Sequence, residues 1–121
     1  MEWDIDTSLV DAWIGVLDEE TKALILSALV VLEYEGPNLG RPLVDRIRGS
    51  QYHNMKELRP GSIGRTEIRI LFVFDPYQQA ILLVGGDKTK LWNKWYRKNI
   101  PRADRLYTQH LASKKGSEHG H

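Results

Sequence analysis

Polar side chains that could converge on a ligand lie at the ends of the strands predicted for the middle of this sequence. They are Lys56, Glu57 and Arg59 on one strand, Arg65 and Arg69 on the next, and Asp87, Lys88 and Lys90 just after a third. Adjacent antiparallel strands lie about 4.8 Å apart, so residues from three neighbouring strands can converge on one ligand. Arg69 lies within an otherwise apolar strand, where an unpaired charge is costly. For each cation taken singly, the alternative is that it is a solvent-exposed residue at the edge of a small sheet and binds no ligand.

Charge divides the chain into two parts, although the formal net charge is only +1. Residues 1–40 contain one basic and nine acidic residues, a balance of −8. Residues 41–105 contain fourteen basic and six acidic residues, a balance of +8. A region this basic, interleaved with Trp and Tyr residues, predicts a polyanionic partner such as RNA or DNA.

Cations and aromatic residues alternate most densely between residues 88 and 98. Single-stranded RNA is bound by such surfaces, where stacking is worth roughly 1–3 kcal/mol per base. Trp92 and Trp95 are three residues apart and so lie on the same side of a helix; the alternative is that both pack on the sheet. We expect one of the two tryptophans to lie in the core and the lysines to face RNA. The candidate RNA-binding residues are Lys56, Arg59, Arg65, Lys90, Lys94, Trp95, Tyr96 and Arg97.

Several kinds of site are excluded by composition and motif. The absence of cysteine removes disulfides, thiolate nucleophiles and cysteine-ligated metal centres. There is no Walker lysine loop and no Gly-x-Ser-x-Gly elbow, and His119 and His121 lie in a polar end. We therefore expect neither a metal nor a small-molecule cofactor. With no signal-peptide layout and no long apolar stretch, we also expect a cytoplasmic protein without a membrane partner.

The elements of the first half are two helices preceded by a strand. Acidic and apolar residues alternate over residues 2–6, which predicts a short half-buried strand. Thr7 or Ser8 is the expected cap of a helix, and a second, largely buried helix is predicted for residues 21–35. Glycine and proline punctuate residues 36–53, which are predicted to form a loop.

The second half predicts an antiparallel run of three strands followed by helices. The strands are predicted at residues 56–59, 65–74 and 80–84, with turns at 60–64 and 75–78 and a break at 85–86. Ile68, Ile70, Phe72 and Phe74 are expected on one face. A helix is predicted at 90–99, and Pro101 is expected to begin a last helix through about residue 112.

Helices grouped apart from a strand meander indicate the α+β class. We expect one domain over residues 1–112 and a flexible polar tail over residues 113–121.

Three sequence blocks in this order resemble the RelE/ParE superfamily of bacterial type II toxins. They are NMKELR at residues 54–59, EIRILF at 67–72 and LLVGGDK at 82–88. The nearest resemblance is to the HigB-like, phage-associated branch, which WNKWYR at 92–97 followed by Ile-Pro also fits. The resemblance covers roughly residues 1–112 and implies a RelE-like small domain: a short strand and two helices, a β-meander and C-terminal helices.

The resemblance implies a toxin that enters the ribosomal A site and cuts messenger RNA during translation. The implied partners are the ribosome, the message and a cognate helix-turn-helix, HigA-like antitoxin. In RelE-type cleavage the ribose 2′-hydroxyl attacks the neighbouring phosphate and the 5′-oxygen leaves, without a metal. This chemistry needs a base, cations on the phosphorane and an acid for the leaving group.

Two residues match the superfamily's functional positions, and a third lies near one without aligning to it. By resemblance, Arg69 matches the third-strand arginine that binds the scissile phosphate. Lys88 occupies the place after the fourth strand where RelE has an arginine credited with contacts to the phosphate and leaving group. Tyr96 is the nearest counterpart of the C-terminal tyrosine of RelE.

The second predicted strand departs from the RelE pattern. Where RelE has two lysines at alternating positions, this chain has Met55 and Glu57, with Lys56 between them. The general base is therefore open among Glu57, His53 and Asp87, and histidine has a suitable unperturbed pKa of about 6.5. Glu57 is otherwise expected to pair with a neighbouring arginine, and His53 to be a surface residue.

Two functions of different classes follow from the resemblance. A ribosome-dependent endoribonuclease is favoured by Arg69 and Lys88. A ParE-like inhibitor of DNA gyrase, which shares the fold without the nuclease residues, stays open because the second strand departs from the pattern. A third possibility is an inactive remnant that only binds an antitoxin or nucleic acid. The acidic helices would lie on the face away from RNA. The antitoxin is expected to cover either these helices or, as the alternative, the basic active-site groove.

Overall fold

A five-stranded sheet forms the middle layer of the fold. The computed structural model describes residues 2–61 and 64–119. The strands are β1 (Asp4–Asp6), β2 (Val44–Arg46), β3 (Lys56–Leu58), β4 (Ile68–Phe74) and β5 (Gln79–Asp87). They lie in the order β1-β5-β4-β3-β2, with β1 parallel to β5 and all other neighbours antiparallel.

Helices cover both faces of this sheet. They are α1 (Asp11–Gly15) and α2 (Glu19–Glu35) on one face and α3 (Asn93–His119) on the other, with a 3₁₀ turn at Gly36–Asn38. The predicted α+β class is confirmed. In the described part of the chain, no helix is long and apolar enough to cross a bilayer.

Successive side chains of β4 point alternately into two hydrophobic cores, one on each face of the sheet. Ile68, Ile70 and Phe72 face α1 and α2, as predicted, whereas Leu71 and Val73 face α3. All five side chains are at most 2% exposed. Arg69 thus lies in a strand whose two faces are both covered by helices.

A β-bulge in β5 changes which residues face α3. Leu71 pairs with Val84 and Phe72 with Leu82, which leaves Leu83 as an extra residue. Even-numbered residues of β5 face α1 and α2 before the bulge and α3 after it. The bulge therefore turns the end of β5, and the residue that follows it, toward the α3 face.

Two glycines that were predicted to end β5 lie inside it, so the predicted break at residues 85–86 is wrong. A Cβ at Gly85 would lie 2.2 Å from Trp13 Cζ3, and one at Gly86 would lie 2.5 Å from Trp95 Nε1. The glycines are needed because a tryptophan packs directly on each face of the strand. Close approach, not a turn, accounts for both residues.

The first two helices differ from expectation in their cap and burial. The N-cap of α1 is Val10, without a side-chain cap, because Ser8 bonds to Asp6 instead. The prediction that α2 is largely buried is also wrong. Its buried residues form one stripe (Thr21, Ile25, Ala28 and Leu32), because only that side contacts the sheet. Leu26, Val30 and Tyr34 are 60%, 68% and 73% exposed.

Two further elements differ from prediction. Residues 36–53 are not only loop, because Val44–Arg46 pairs with β3 to form the edge strand β2. Pro101 does not begin a helix: α3 continues through it. An interior proline costs about 3 kcal/mol, which is offset because Trp95, Ala103 and Tyr107, on both sides of it, bury their side chains in one core.

The predicted domain limit at residue 112 stays a prediction, and α3 extends to His119. Residues 62–63 of the predicted turn and residues 120–121, including His121, lie outside the described residues.

Gly86→Ala tests the close approach of Trp95. The added methyl group forces this buried ring to shift, and overpacking of this kind costs about 1–3 kcal/mol. We expect the free energy of unfolding in urea to fall by that amount. Gly40→Ala is the control, because nothing lies within 4 Å of its Cβ position. Equal stability of the two variants would contradict the packing described here.

Candidate active site

A buried carboxylate lies at the centre of the polar cluster on the α3 face of the sheet. The side chain of Glu57, on β3, is 4% exposed. Its Oε1 accepts a hydrogen bond from the Tyr96 hydroxyl at 2.6 Å and lies 3.4 Å from Arg69 Nε. Its Oε2 accepts from Arg59 Nη2 at 3.0 Å, which confirms the expected pairing with a neighbouring arginine. A carboxylate removed from water requires such donors.

Arg69 is paired, although its position in an apolar strand suggested a costly lone charge. Besides its contact with Glu57, its Nη1 donates to the Ile68 carbonyl at 2.8 Å and its Nη2 to Glu67 Oε2 at 3.2 Å. Its backbone partner on β5 is Gly86, which has no side chain. Because a guanidinium has five N–H donors, one on each terminal nitrogen is left for a further acceptor.

Lys88 lies beside this pair because the β5 bulge turns it toward α3. Its Nζ donates to the Tyr96 hydroxyl at 3.1 Å and lies 5.0 Å from the ring centroids of Trp92 and Tyr96. Burial, together with the neighbouring Arg69 charge, lowers the pKa of Lys88. Within the described residues it forms no ion pair, so its charge is not neutralised by a carboxylate in contact with it.

Tyr96 connects the lysine to the carboxylate. Burial, and then its hydrogen bond to Glu57, raise the pKa of Tyr96 to about 12. The phenol is therefore protonated at neutral pH, so that it donates to Glu57 while it accepts from Lys88. Lys88, Tyr96 and Glu57 thus form a continuous hydrogen-bonded chain.

The other two candidates for the general base differ from Glu57 in position. His53 is exposed on the loop between β2 and β3. Asp87 accepts backbone hydrogen bonds from Glu67 and Thr89, each at 3.0 Å, and so holds the loop after β5. Burial raises the pKa of Asp87, but the hydrogen bonds from Thr89 and Glu67 outweigh it and the net shift is downward.

Two of the predicted RNA-binding residues lie away from the solvent-exposed side of this cluster. Lys56 is on the opposite face of the sheet, where its Nζ lies 5.3 Å from the Phe74 ring centroid and 3.5 Å from the Pro37 carbonyl. Trp95 is 3% exposed and packs in the core, whereas Trp92 is 56% exposed. One of the two tryptophans is therefore core, as expected, but the ring open to a base is Trp92. The remaining candidates Arg65, Lys90, Lys94 and Arg97 are exposed, and Arg59 is half-buried.

A groove beside the cluster contains residues that the sequence did not suggest. One hollow of about 370 Å³ is lined by Arg46, Ile47, Arg48, Glu57, Asn93 and Tyr96. The next, of about 420 Å³, is lined by Arg48, Gly49, Asn93, Tyr96, Arg97, Ile100 and Pro101. We call the two hollows together the α3 groove. Arg46 and Arg48 were missed because residues 36–53 were predicted to be loop; the signal that could have found them is the alternation Arg-Ile-Arg at 46–48. Asn93 lies at the start of α3, between residues that were selected for their charge or aromatic ring.

The arrangement can bind an anion and move a proton. Lys88 and the remaining donors of Arg69 suit a phosphate, and the Tyr96–Glu57 pair can accept a proton from a hydroxyl. Among the side chains that the structure describes, no three His, Asp or Glu residues converge as a metal site would require.

Comparisons with known proteins give a consistent picture. A family model described as "Phage derived protein Gp49-like (DUF891)" matches residues 12–108. A Mycobacterium tuberculosis (strain ATCC 25618 / H37Rv) protein named "Putative toxin HigB2" is 54% identical over 110 residues, which cover 91% of this chain and 55% of that protein. "Putative toxin HigB3" of the same strain is 51% identical over 107 residues, covering 88% of this chain and 91% of that protein. The chain thus spans about half the length of the first relative and nearly all of the second.

Titration of the Tyr96 phenol tests the geometry of the cluster. Its folded pKa of about 12 lies above the ordinary value of 10.0, so the protonated phenol stabilises the fold below pH 10. That stabilisation is lost as the pH rises from about 10 to about 12. In the Tyr96→Phe variant, the absorbance of tyrosinate should show that one phenol fewer ionises near pH 12. The phenol that still ionises there is Tyr107, because burial also raises the pKa of Tyr107 to about 12.

Tyr34→Phe is the matched control, because it removes a phenol that is 73% exposed on α2. It should leave the absorbance step near pH 12 unchanged. If Tyr96→Phe instead removes a step near pH 10, the buried hydrogen bond to Glu57 is not present in solution.

Proposed function

Because the chain belongs to the Gp49-like family and is a HigB-like member of the RelE/ParE superfamily, we propose that it is the toxin of a type II toxin–antitoxin system. We further propose that it inhibits translation in the cytoplasm by cutting messenger RNA on the ribosome. The toxin assignment is supported by the names of the relatives. The cleavage assignment is supported by one observation: Arg69, Lys88 and Tyr96 surround the buried carboxylate of Glu57 on one face of the sheet.

In the proposed reaction the ribose 2′-hydroxyl attacks the adjacent phosphorus atom. The new O–P bond closes a 2′,3′-cyclic phosphate, and the bond from phosphorus to the 5′-oxygen of the next nucleotide breaks. Arg69 and Lys88 stabilise the charge that develops on the phosphorane oxygens. The departing 5′-oxygen takes a proton from Lys88, whose pKa is lowered chiefly by burial, which makes it a stronger acid than a free lysine.

Glu57 is the proposed final acceptor of the 2′-hydroxyl proton. At 4% exposure its carboxylate has little direct access to a substrate, whereas Tyr96 lines the α3 groove. The phenol oxygen takes the 2′-hydroxyl proton while the phenol's own proton moves to Glu57 Oε1, 2.6 Å away. What favours Glu57 over Asp87 is that the Asp87 carboxylate already accepts the loop's backbone hydrogen bonds. Exposed His53 has no comparable link to the two cations.

Arg69→Ala tests the nuclease and its phosphate anchor. Loss of one such donor should lower the rate of cleavage of a defined message in a reconstituted translation system by about 100- to 1000-fold. Lys88→Met should lower it as well, without removing a partner of Glu57. Arg102→Ala is the matched control, because Arg102 is an exposed cation on α3 outside the α3 groove.

If the well-folded wild-type protein leaves the messages uncut, the nuclease proposal is wrong. DNA breaks and an SOS response on expression would then identify the ParE-like inhibition of gyrase. No growth arrest in the absence of the antitoxin would indicate an inactive remnant.

For the partner, a helix-turn-helix, HigA-like antitoxin, we propose the acidic outer side of α2 as the docking surface. Leu26, Val30 and Tyr34 are spaced by four residues and form an exposed apolar stripe there. Close by, Glu33 has a raised pKa because it shares a hydrogen bond with Glu2 and is repelled by Glu2 and Asp4. A basic amphipathic segment would cover the stripe and relieve this repulsion.

The triple variant Leu26→Ser, Val30→Ser, Tyr34→Ser tests this surface. We expect at least a tenfold loss of affinity for the co-expressed antitoxin, measured by titration calorimetry, with growth arrest by the free toxin unchanged. Leu91→Ser, which alters an apolar residue that is 43% exposed outside α2, is the control. If the triple variant binds the antitoxin with unchanged affinity, the α2 surface is not the docking site and the basic groove takes its place as the proposed site.

A further inference from the structure

The two hollows of the α3 groove are adjacent, because they share three lining residues. Arg48, Asn93 and Tyr96 border both. One end of the groove therefore reaches Glu57 and the hydrogen-bonded chain described above. The other end, farther along α3, is bounded by Ile100 and Pro101.

The far hollow combines apolar surface with two arginines. Ile100, 6% exposed, and Pro101 provide apolar surface. Arg48 follows β2 and Arg97 lies on α3, so the two cations come from different elements. Both are exposed, and within the described residues neither has a hydrogen bond or an ion pair to another side chain. This contrasts with Arg59 and Arg69, each of which contacts two carboxylates.

Unpaired guanidinium groups next to an apolar surface suit one class of ligand. The guanidinium plane stacks on a nucleobase and its edge pairs with a phosphate, whereas isoleucine and proline contact the base face or ribose. The far hollow, at about 420 Å³, is in the range of small-ligand sites and suits a single nucleoside. A folded protein partner would need a larger apolar surface.

We propose that the α3 groove is the subsite for the nucleotide adjacent to the scissile phosphate. Its base lies between Arg48 and Arg97 against Ile100 and Pro101, and its phosphate lies at the Tyr96 end, next to Lys88. This inference rests on the proposed RNA cleavage, because it identifies how the same site holds the strand. It assigns to Arg48, which the superfamily resemblance did not suggest, a positioning role for the substrate.

Binding of a labelled single-stranded RNA hexamer to the isolated protein tests the subsite. We expect Arg48→Ala and Arg97→Ala each to weaken binding about tenfold in fluorescence anisotropy. Arg102→Ala, which removes the same charge from an exposed position on α3, should change it less than twofold. An equal loss in all three variants would indicate diffuse charge attraction and overturn the subsite.

Photocrosslinking gives the location directly. A hexamer that carries 4-thiouridine should crosslink to peptides containing Arg48–Gly49 or Arg97–Pro101, as read by mass spectrometry. Crosslinks confined to other peptides, or no binding by the wild-type protein, would contradict the proposal.

The reconstituted translation assay separates this inference from the proposed function. If the wild-type protein cuts messages and both arginine variants cut them at the same rate and positions, the subsite is wrong and the nuclease stands. If the wild-type protein binds and crosslinks RNA in the groove without cutting messages, the groove stands and the nuclease fails.

Discussion

A carboxylate with 4% of its side chain exposed has to be compensated, and the arrangement of the site follows from that requirement. Glu57 is held by Arg59 from the end of its own strand, by Arg69 from β4 and by Tyr96 from α3. Since these partners, two hydrogen-bond donors and one ion-paired arginine, come from three separate elements, the carboxylate also fixes how α3 lies on the sheet. Tyr96 in turn brings Lys88 into the chain of hydrogen bonds.

The sheet meets this requirement through two irregular features of β5. The bulge at Leu83 turns the end of the strand so that Lys88 lies on the same face as Arg69. Gly86, which follows the bulge, lets Trp95 pack directly on the strand, and this brings α3 close enough for Tyr96 to reach Glu57. A regular strand with ordinary side chains would separate the two cations and hold the helix farther away.

Features that depend on local pattern were predictable from the sequence, and features that depend on pairing were not. The alternation of β4 and the convergence of Arg69 with Lys88 followed from period-two patterning and from resemblance. A strand of three residues such as β2 has no pattern of its own, because its hydrogen bonds exist only once β3 is beside it. The bulge, the packing of a tryptophan on each of the two glycines and the passage of α3 through Pro101 likewise depend on residues that are distant in the sequence.

The pairing that stabilises the cluster also limits what it can attract. The cluster contains three cations, Arg59, Arg69 and Lys88, and three carboxylates, which pair with the two arginines, so its summed charge is close to zero and would attract RNA only weakly. That attraction has to come from surrounding cations that have no carboxylate beside them. The exposed arginines of the α3 groove are suited to this role, because they line the groove that reaches Tyr96 and Glu57 and, within the described residues, form no ion pair with a carboxylate. A buried, nearly neutral centre bordered by cations without a contacting carboxylate would separate binding of the proposed RNA strand from its cleavage, so a net charge of only +1 does not conflict with the proposed polyanionic substrate.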